Sequence, residues 1–257
     1  MSDAAFLVMD LDFRGAPELG NKFLNAYLDA SGDHEGLAVL PLYLAYRTLV
    51  RAMVAHLGAS SAAHDAGQAR ARKHAEQARR YLSEPGRPGL VITHGVSGSG
   101  KSHHALVLAS RDGFVHVRSD MERKRLVGLG AQQSSASATG GGIYDEAHDG
   151  ATYERFAYCA EAALAAGLST VVDATFLRRS DRWHFKDLAA RHGAAFHILA
   201  CHARDGDRVS EATVAVLDRQ LTSMKLLGDD ERVACAKPED LHDARAPLGW
   251  LGRGRRT

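Results

Sequence analysis

Cysteine is scarce in this 257-residue chain: Cys159, Cys201 and Cys235 are odd in number, far apart and embedded in apolar sequence. That pattern suits reduced core thiols of an intracellular protein better than a disulfide framework or a zinc site. An excess of charge is missing too. Lys and Arg total 32 against 31 Asp and Glu, a formal net charge of +1, so there is no global pull toward nucleic acid or anionic membrane. A clean apolar run of the roughly 20 residues a membrane span needs is also lacking. Arg47 and Arg51 interrupt the longest stretch, Leu37 to Leu57, which reads as a soluble helix with no membrane partner. The N-terminus, Met-Ser-Asp-Ala-Ala, has neither a basic n-region nor a cleavage signature. No secretory signal is read there, and a cytoplasmic location is expected.

What is present divides in two. Over the first 82 residues, Leu40, Tyr43, Leu44, Leu49, Val50, Met53 and Leu57 fall at helical spacing, and no strand signal appears. Asn21 to Ala30 and Gln68 to Leu82 are further helices, set apart by breakers at Gly15 to Pro17, Ser31 to Gly36 and Gly58 to Gly67. The run Ser83-Glu84-Pro85-Gly86-Arg87-Pro88-Gly89 then places a domain boundary, with residues 1–82 before it and 89–257 after it. From Leu90 the texture alternates short β-like and helical runs, the mark of βαβ units. Strands are predicted at Leu90 to His94, Phe114 to Arg118, Thr170 to Asp173, Phe196 to Cys201 and Val233 to Cys235. Helices are predicted at Lys101 to Ser110, Met121 to Val127, Tyr153 to Ala166, Arg182 to His192 and Glu211 to Leu221. The Gln-, Ser- and Gly-rich stretch from Gly128 to Gly142 has little to bury and is expected to be mobile. The fold expected is α/β: a doubly wound parallel sheet of the P-loop NTPase type behind a small all-helical N-terminal segment.

Gly95-Val96-Ser97-Gly98-Ser99-Gly100-Lys101-Ser102 fits GxxxxGK[ST]. In that pattern glycines let backbone N–H groups wrap phosphates, the lysine reaches the β- and γ-phosphates, and the final hydroxyl ligates Mg²⁺. Gly95, Ser97, Gly98, Ser99, Gly100, Lys101 and Ser102 are therefore the candidate ATP-binding residues. The apolar strand before them and the helix after them aim a helix N-terminus at the anion. Thr170-Val171-Val172-Asp173 has the form of a Walker B segment, which makes Asp173 with Ser102 the candidate Mg²⁺ ligands. Asp120, after Val117-Arg118-Ser119, is placed where a general base accepts the proton of an attacking hydroxyl, or where a helix N-cap sits. Of the arginines after these strands, Arg118 and Arg182 are the candidates for steadying a phosphoryl group in flight. The basic run Arg70-Ala71-Arg72-Lys73-His74 reads as a solvated helix face rather than a nucleic-acid patch.

These residues resemble a known family. Gly89 to about Cys235 looks like the zeta-toxin-like and polynucleotide-kinase-like P-loop kinases with AAA-type ATP-binding domains. The likeness runs through GVSGSGKS, then RSDMERKRL from Arg118 to Leu126, then VVDATFLRRSDR from Val171 to Arg182. It implies that Asp120 activates the acceptor hydroxyl. The whole chain is also similar to the C-terminal part of bacterial proteins that fuse an aminoglycoside-phosphotransferase-like domain to such a kinase. AFLVMDLDFRG from Ala5 to Gly15 and LPLYLAYRTLVRAMVAHL from Leu40 to Leu57 resemble the end of their first domain. The catalytic loop of that domain is not among these residues, so aminoglycoside phosphorylation is not implied. Relatives carry an arginine-bearing lid, whereas here Cys201-His202-Ala203 runs almost directly into the segment Arg204 to Ala212. Two functions follow from this reading. One is a kinase acting on a small-molecule or sugar hydroxyl, with ATP and Mg²⁺; the other is a nucleotide-binding module whose N-terminal helices dock a partner.

Overall fold

The computed structural model describes residues 1–58, 64–83, 86–129, 146–201, 220, 222, 224–232 and 234–236. Two compact units are present, Met1–Pro85 and Gly86–Thr257.

The first unit is helical: α1 Ser2–Phe13, α2 Pro17–Ser31, α3 Leu40–Leu57 and α4 His64–Leu82, with a 3-10 turn at Glu35–Val39. Pro17 starts α2, where its missing N–H costs nothing, and Gly32 ends that helix at a left-handed φ of 71°. α4 starts four residues before the predicted Gln68, running through Gly67, since one interior glycine costs only about 1 kcal/mol. The helices are tied by polar contacts as well as apolar ones. Gln77 Nε2 donates to the Met9 carbonyl at 2.9 Å, and Phe13 stacks on His74 with ring centroids 3.6 Å apart. By length and composition Glu35–Leu57 would pass as a membrane-crossing helix, despite the two arginines. Both arginines are engaged by α1, Arg47 with Asp3 at 3.2 Å and Arg51 with Asp10 at 3.0 Å. Leu40, Leu44 and Ala45 are buried, whereas Leu42, Tyr46, Leu49, Met53 and Leu57 are exposed. Helical spacing in α3 therefore marks two apolar sides rather than one.

The second unit opens with β1 Gly89–His94, then α5 Lys101–Asp112, β2 Val115–Arg118, α6 Ser119–Leu126, α7 Glu146–Ala165, β3 Thr170–Asp173, α8 Arg179–Arg191 and β4 Ala195–Ala200. A short helix, Asp229–Arg232, precedes β5 Cys235–Ala236. The strands form one parallel sheet in the order β2-β3-β1-β4-β5. Alternate residues of β1 face opposite sides, as strand geometry requires. Leu90 and Ile92 join Phe156, Cys159, Phe185 and Leu188 on the α7/α8 side. Val91 joins Ala105, Leu108, Phe114 and Cys201 on the α5 side. With helices on both faces the central strands β1 and β3 are buried throughout, which is why they read as near-continuous apolar runs. The sheet is the doubly wound parallel α/β type expected from the sequence.

The parallel order has a consequence for function. β1, β3 and β2 lie side by side and point the same way, with Arg118 in register with Asp173. The residues that follow their C-terminal ends therefore share one edge of the sheet, where doubly wound folds place their ligands. The helix predicted at Glu211 to Leu221 lies outside the described residues except for Gln220, and the segment expected from the sequence to be a shortened lid, with nearly all of the Gly128 to Gly142 stretch, lies outside them too.

Candidate nucleotide site

β1 ends at His94 and the chain turns through the phosphate loop into α5. Gly95 takes φ 144°, and a Cβ there would meet the Cys201 carbonyl oxygen at 2.3 Å, so only glycine fits beside β4. Gly100, at φ 82°, caps α5 without any side-chain hydrogen bond. The first backbone N–H groups of α5 have no partner within their own helix, and the helix dipole favours negative charge at this end. This is a ready anion cradle.

The side chains around the cradle agree with that use. Lys101 is the first residue of α5 and only 8% exposed, with Nζ donating to the Val96 carbonyl at 2.6 Å. Burial pushes its amine below the usual lysine range, while Asp173 draws it back up. Asp173, at the end of β3, is buried as well, and burial by itself would raise its carboxyl. The adjoining His116 ring, the Ser102 hydroxyl and the Lys101 charge more than offset this and hold it below the usual carboxylate range. Ser99 Oγ is buried in the loop with no hydrogen-bond partner among the described residues. A Walker A hydroxyl donating to a buried, ionised Walker B carboxylate is the donor set that Mg²⁺ takes, and an orphaned hydroxyl inside an N–H cradle suits a phosphate. The residues present therefore fit ATP with Mg²⁺.

The loop after β3 is fastened to β1. Gly95 N–H donates to the Thr175 carbonyl at 3.2 Å, and Thr93 Oγ1 is 2.6 Å from the Ala174 carbonyl. Phe176 is buried at φ 46°, a left-handed conformation that costs a non-glycine residue about 1–3 kcal/mol. Its carbonyl receives His94 Nδ1 at 3.1 Å and Arg182 Nη1 at 3.0 Å, which hold the strained turn in place.

Arg182 departs from the expected role of gripping phosphate. Its side chain is fully buried, forked onto Glu231 at 2.8 and 2.9 Å, with Nη1 also donating to the Phe176 and Leu177 carbonyls. All of its donor nitrogens are engaged in structure, so it is an internal clamp between α8 and the Asp229–Arg232 helix. Helical spacing held the sign: Arg182 shares the buried side of α8 with Phe185, Leu188 and Ala189. Burial pushes the Glu231 carboxyl up, but Arg182 and the Gly228 N–H outweigh it and hold it below the usual range. Breaking a buried pair by removing one partner leaves a charge without compensation. Glu231→Ala is therefore expected to destabilise the fold by about 3–5 kcal/mol at neutral pH, read from urea unfolding. The depressed folded-state value means this contribution is complete above the unfolded carboxyl value and lost as pH falls through the folded one. The gap between wild type and variant should accordingly close in acid.

Asp120 lies in the first turn of α6 rather than at its N-cap, which is Arg118. Half-exposed Arg118 donates to it at 2.8 Å. The two candidates are thus brought together where β2 leaves the sheet. Nearby Arg125 and Arg155 both pair with the buried carboxylate of Glu122, and Arg179 pairs with Asp230 at 3.0 Å. Those arginines fasten helices. His116 lies outside every motif of the sequence. It pairs in register with Val171, so strand alternation sets it on the same face as Asp173, with Nε2 3.6 Å from that carboxylate. Glu231 and Gln220 carry no sequence signal, because their partners lie far away along the chain.

A family described as an AAA domain matches residues 90–227. Uncharacterized proteins of Mycobacterium tuberculosis strain H37Rv and of Mycobacterium bovis are each 32% identical over 203 residues, covering 79% of this chain and 40% of the relative. The chain thus spans about 40% of the length of these curated relatives. Among solved structures, an unliganded sugar kinase from Janibacter sp. HTCC2649 aligns with a TM-score of 0.44 and 22% identity, covering 64% of this chain and 94% of that one.

Proposed function

The chain belongs to the AAA domain family, and from that premise we propose that it is an ATP-dependent kinase, transferring the γ-phosphoryl group to a hydroxyl of a small-molecule or sugar acceptor. One observation carries the reading: Lys101, Ser102 and Asp173 converge at the C-terminal edge of the sheet. In this reading the loop N–H groups and Lys101 bind the β- and γ-phosphates. Ser102 and Asp173 hold Mg²⁺, which neutralises charge on the phosphate oxygens when bound. Asp120 takes the proton of the acceptor hydroxyl, whose oxygen bonds to the γ-phosphorus as the bond to the bridging oxygen breaks and ADP leaves. Arg118, paired with Asp120, sets that carboxylate's direction. A cytoplasmic setting belongs to the same reading, since ATP and reduced thiols coexist there; burial pushes both Cys159 and Cys201 up to about 12, which keeps them protonated and inert.

Incubation with γ-labelled ATP, Mg²⁺ and a panel of hydroxyl-bearing acceptors tests the proposal. Label is expected to move to a small-molecule hydroxyl and not to polynucleotide ends. Intact ATP binding with no transfer to any acceptor would overturn the kinase and leave a nucleotide-binding module.

A further inference from the structure

Gln220 touches the phosphate loop from 123 residues downstream. Its Oε1 accepts the Ser97 backbone N–H at 2.8 Å, and its Nε2 donates to Ser97 Oγ at 3.1 Å. Ser97 is the third residue of the loop, between Gly95 at φ 144° and Gly98 at φ 77°. These flanking glycines give that stretch wide conformational freedom, which something outside the loop must restrict if the N–H groups are to point at a ligand. A carboxamide that uses both its acceptor and its donor on one residue fixes the peptide plane and the side-chain rotamer together.

We propose that Gln220 is a positioning residue for the phosphate loop, holding Ser97 so that the cradle is formed before the nucleotide arrives. The inference rests on the reading of this loop as the ATP site and adds to it a residue that no motif contains. Neutrality matters here as much as shape. Glutamate in the same place retains acceptors for the Ser97 N–H and hydroxyl but brings a negative charge beside the phosphates.

The test compares wild type, Gln220→Glu and Gln220→Ala by calorimetric titration with ATP and Mg²⁺, alongside the melting temperature of each unliganded protein. Gln220→Glu is expected to weaken ATP by about tenfold or more, with the deficit narrowing as salt is raised. Gln220→Ala, which loses the two hydrogen bonds to Ser97 and gains no charge, is expected to weaken ATP by about fivefold at any salt concentration. Melting temperatures should match wild type. ATP affinities within twofold of wild type in both variants, or losses that appear only with a lowered melting temperature and no salt response, would overturn the proposal. If wild type itself does not bind ATP, the nucleotide-site reading fails with it. If wild type binds and the variants bind equally, the role of Gln220 alone is refuted.

Discussion

Replacing Lys101 with alanine is expected to lower ATP affinity by about a hundredfold or more while leaving the fold intact. The amine is buried, and burial depresses its proton affinity against the pull of Asp173. In such surroundings a charge-assisted hydrogen bond to phosphate is worth about 1.5–3 kcal/mol, where 2.7 kcal/mol corresponds to a hundredfold. The variant also takes the Lys101 charge away from Asp173, which then faces bound phosphate with less compensation, and this adds to the loss. Folding should be spared, because Lys101 opens α5 and alanine is the best helix former. Among the described residues, the hydrogen bond lost is that to the Val96 carbonyl. Titration calorimetry with ATP and Mg²⁺, beside a thermal melt, checks both halves. Wild-type affinity in the variant would refute the cradle.

Asp120→Asn is expected to do the reverse, lowering turnover by about 10²–10⁴ with ATP affinity within about twofold of wild type. Asparagine preserves size and shape but cannot take a proton from the acceptor. Asp120 is more than half exposed, and its pair with Arg118 is of the surface kind worth about 0–1 kcal/mol, so stability should barely move. The split between transfer and binding separates the proposed base from the proposed cradle, which Lys101→Ala cannot do. Label transfer at saturating ATP measures the first quantity and calorimetry the second. Unchanged transfer would remove Asp120 from the mechanism.

Short range decided what could be read from sequence. The phosphate loop, the strand before it and the helix after it form one contiguous stretch, and glycine at positions 95 and 100 reports backbone conformations that other residues rarely adopt. The principal strands were visible because a parallel sheet covered on both faces demands unbroken apolar runs. Boundaries moved where caps were at stake: α6 begins at Ser119, which brings Asp120 into its first turn, and α8 begins at Arg179, three residues before the predicted start. α3 shows the limit of periodicity, since Leu40 and Leu44 are buried while Leu49 and Met53 at equally helical spacing are exposed.

The arginines mark where sequence reading stops. Arg118 and Arg182 looked alike, each close to a strand-end aspartate, yet Arg118 is half-exposed beside Asp120 and Arg182 is sealed onto Glu231, 49 residues further along. Ion pairing depends on which carboxylate the fold delivers to the guanidinium, and that is a long-range outcome with no local code. His116 beside Asp173 and Gln220 on Ser97 are cases of the same kind. By itself, then, the sequence determined the phosphate loop and the parallel α/β class, because both follow from steric and hydrophobic rules acting over a few neighbouring residues. Only the tertiary structure decided which charged and polar groups face that loop and which hold the protein together, because those partners meet through strand order and helix packing across 49 to 123 residues of chain.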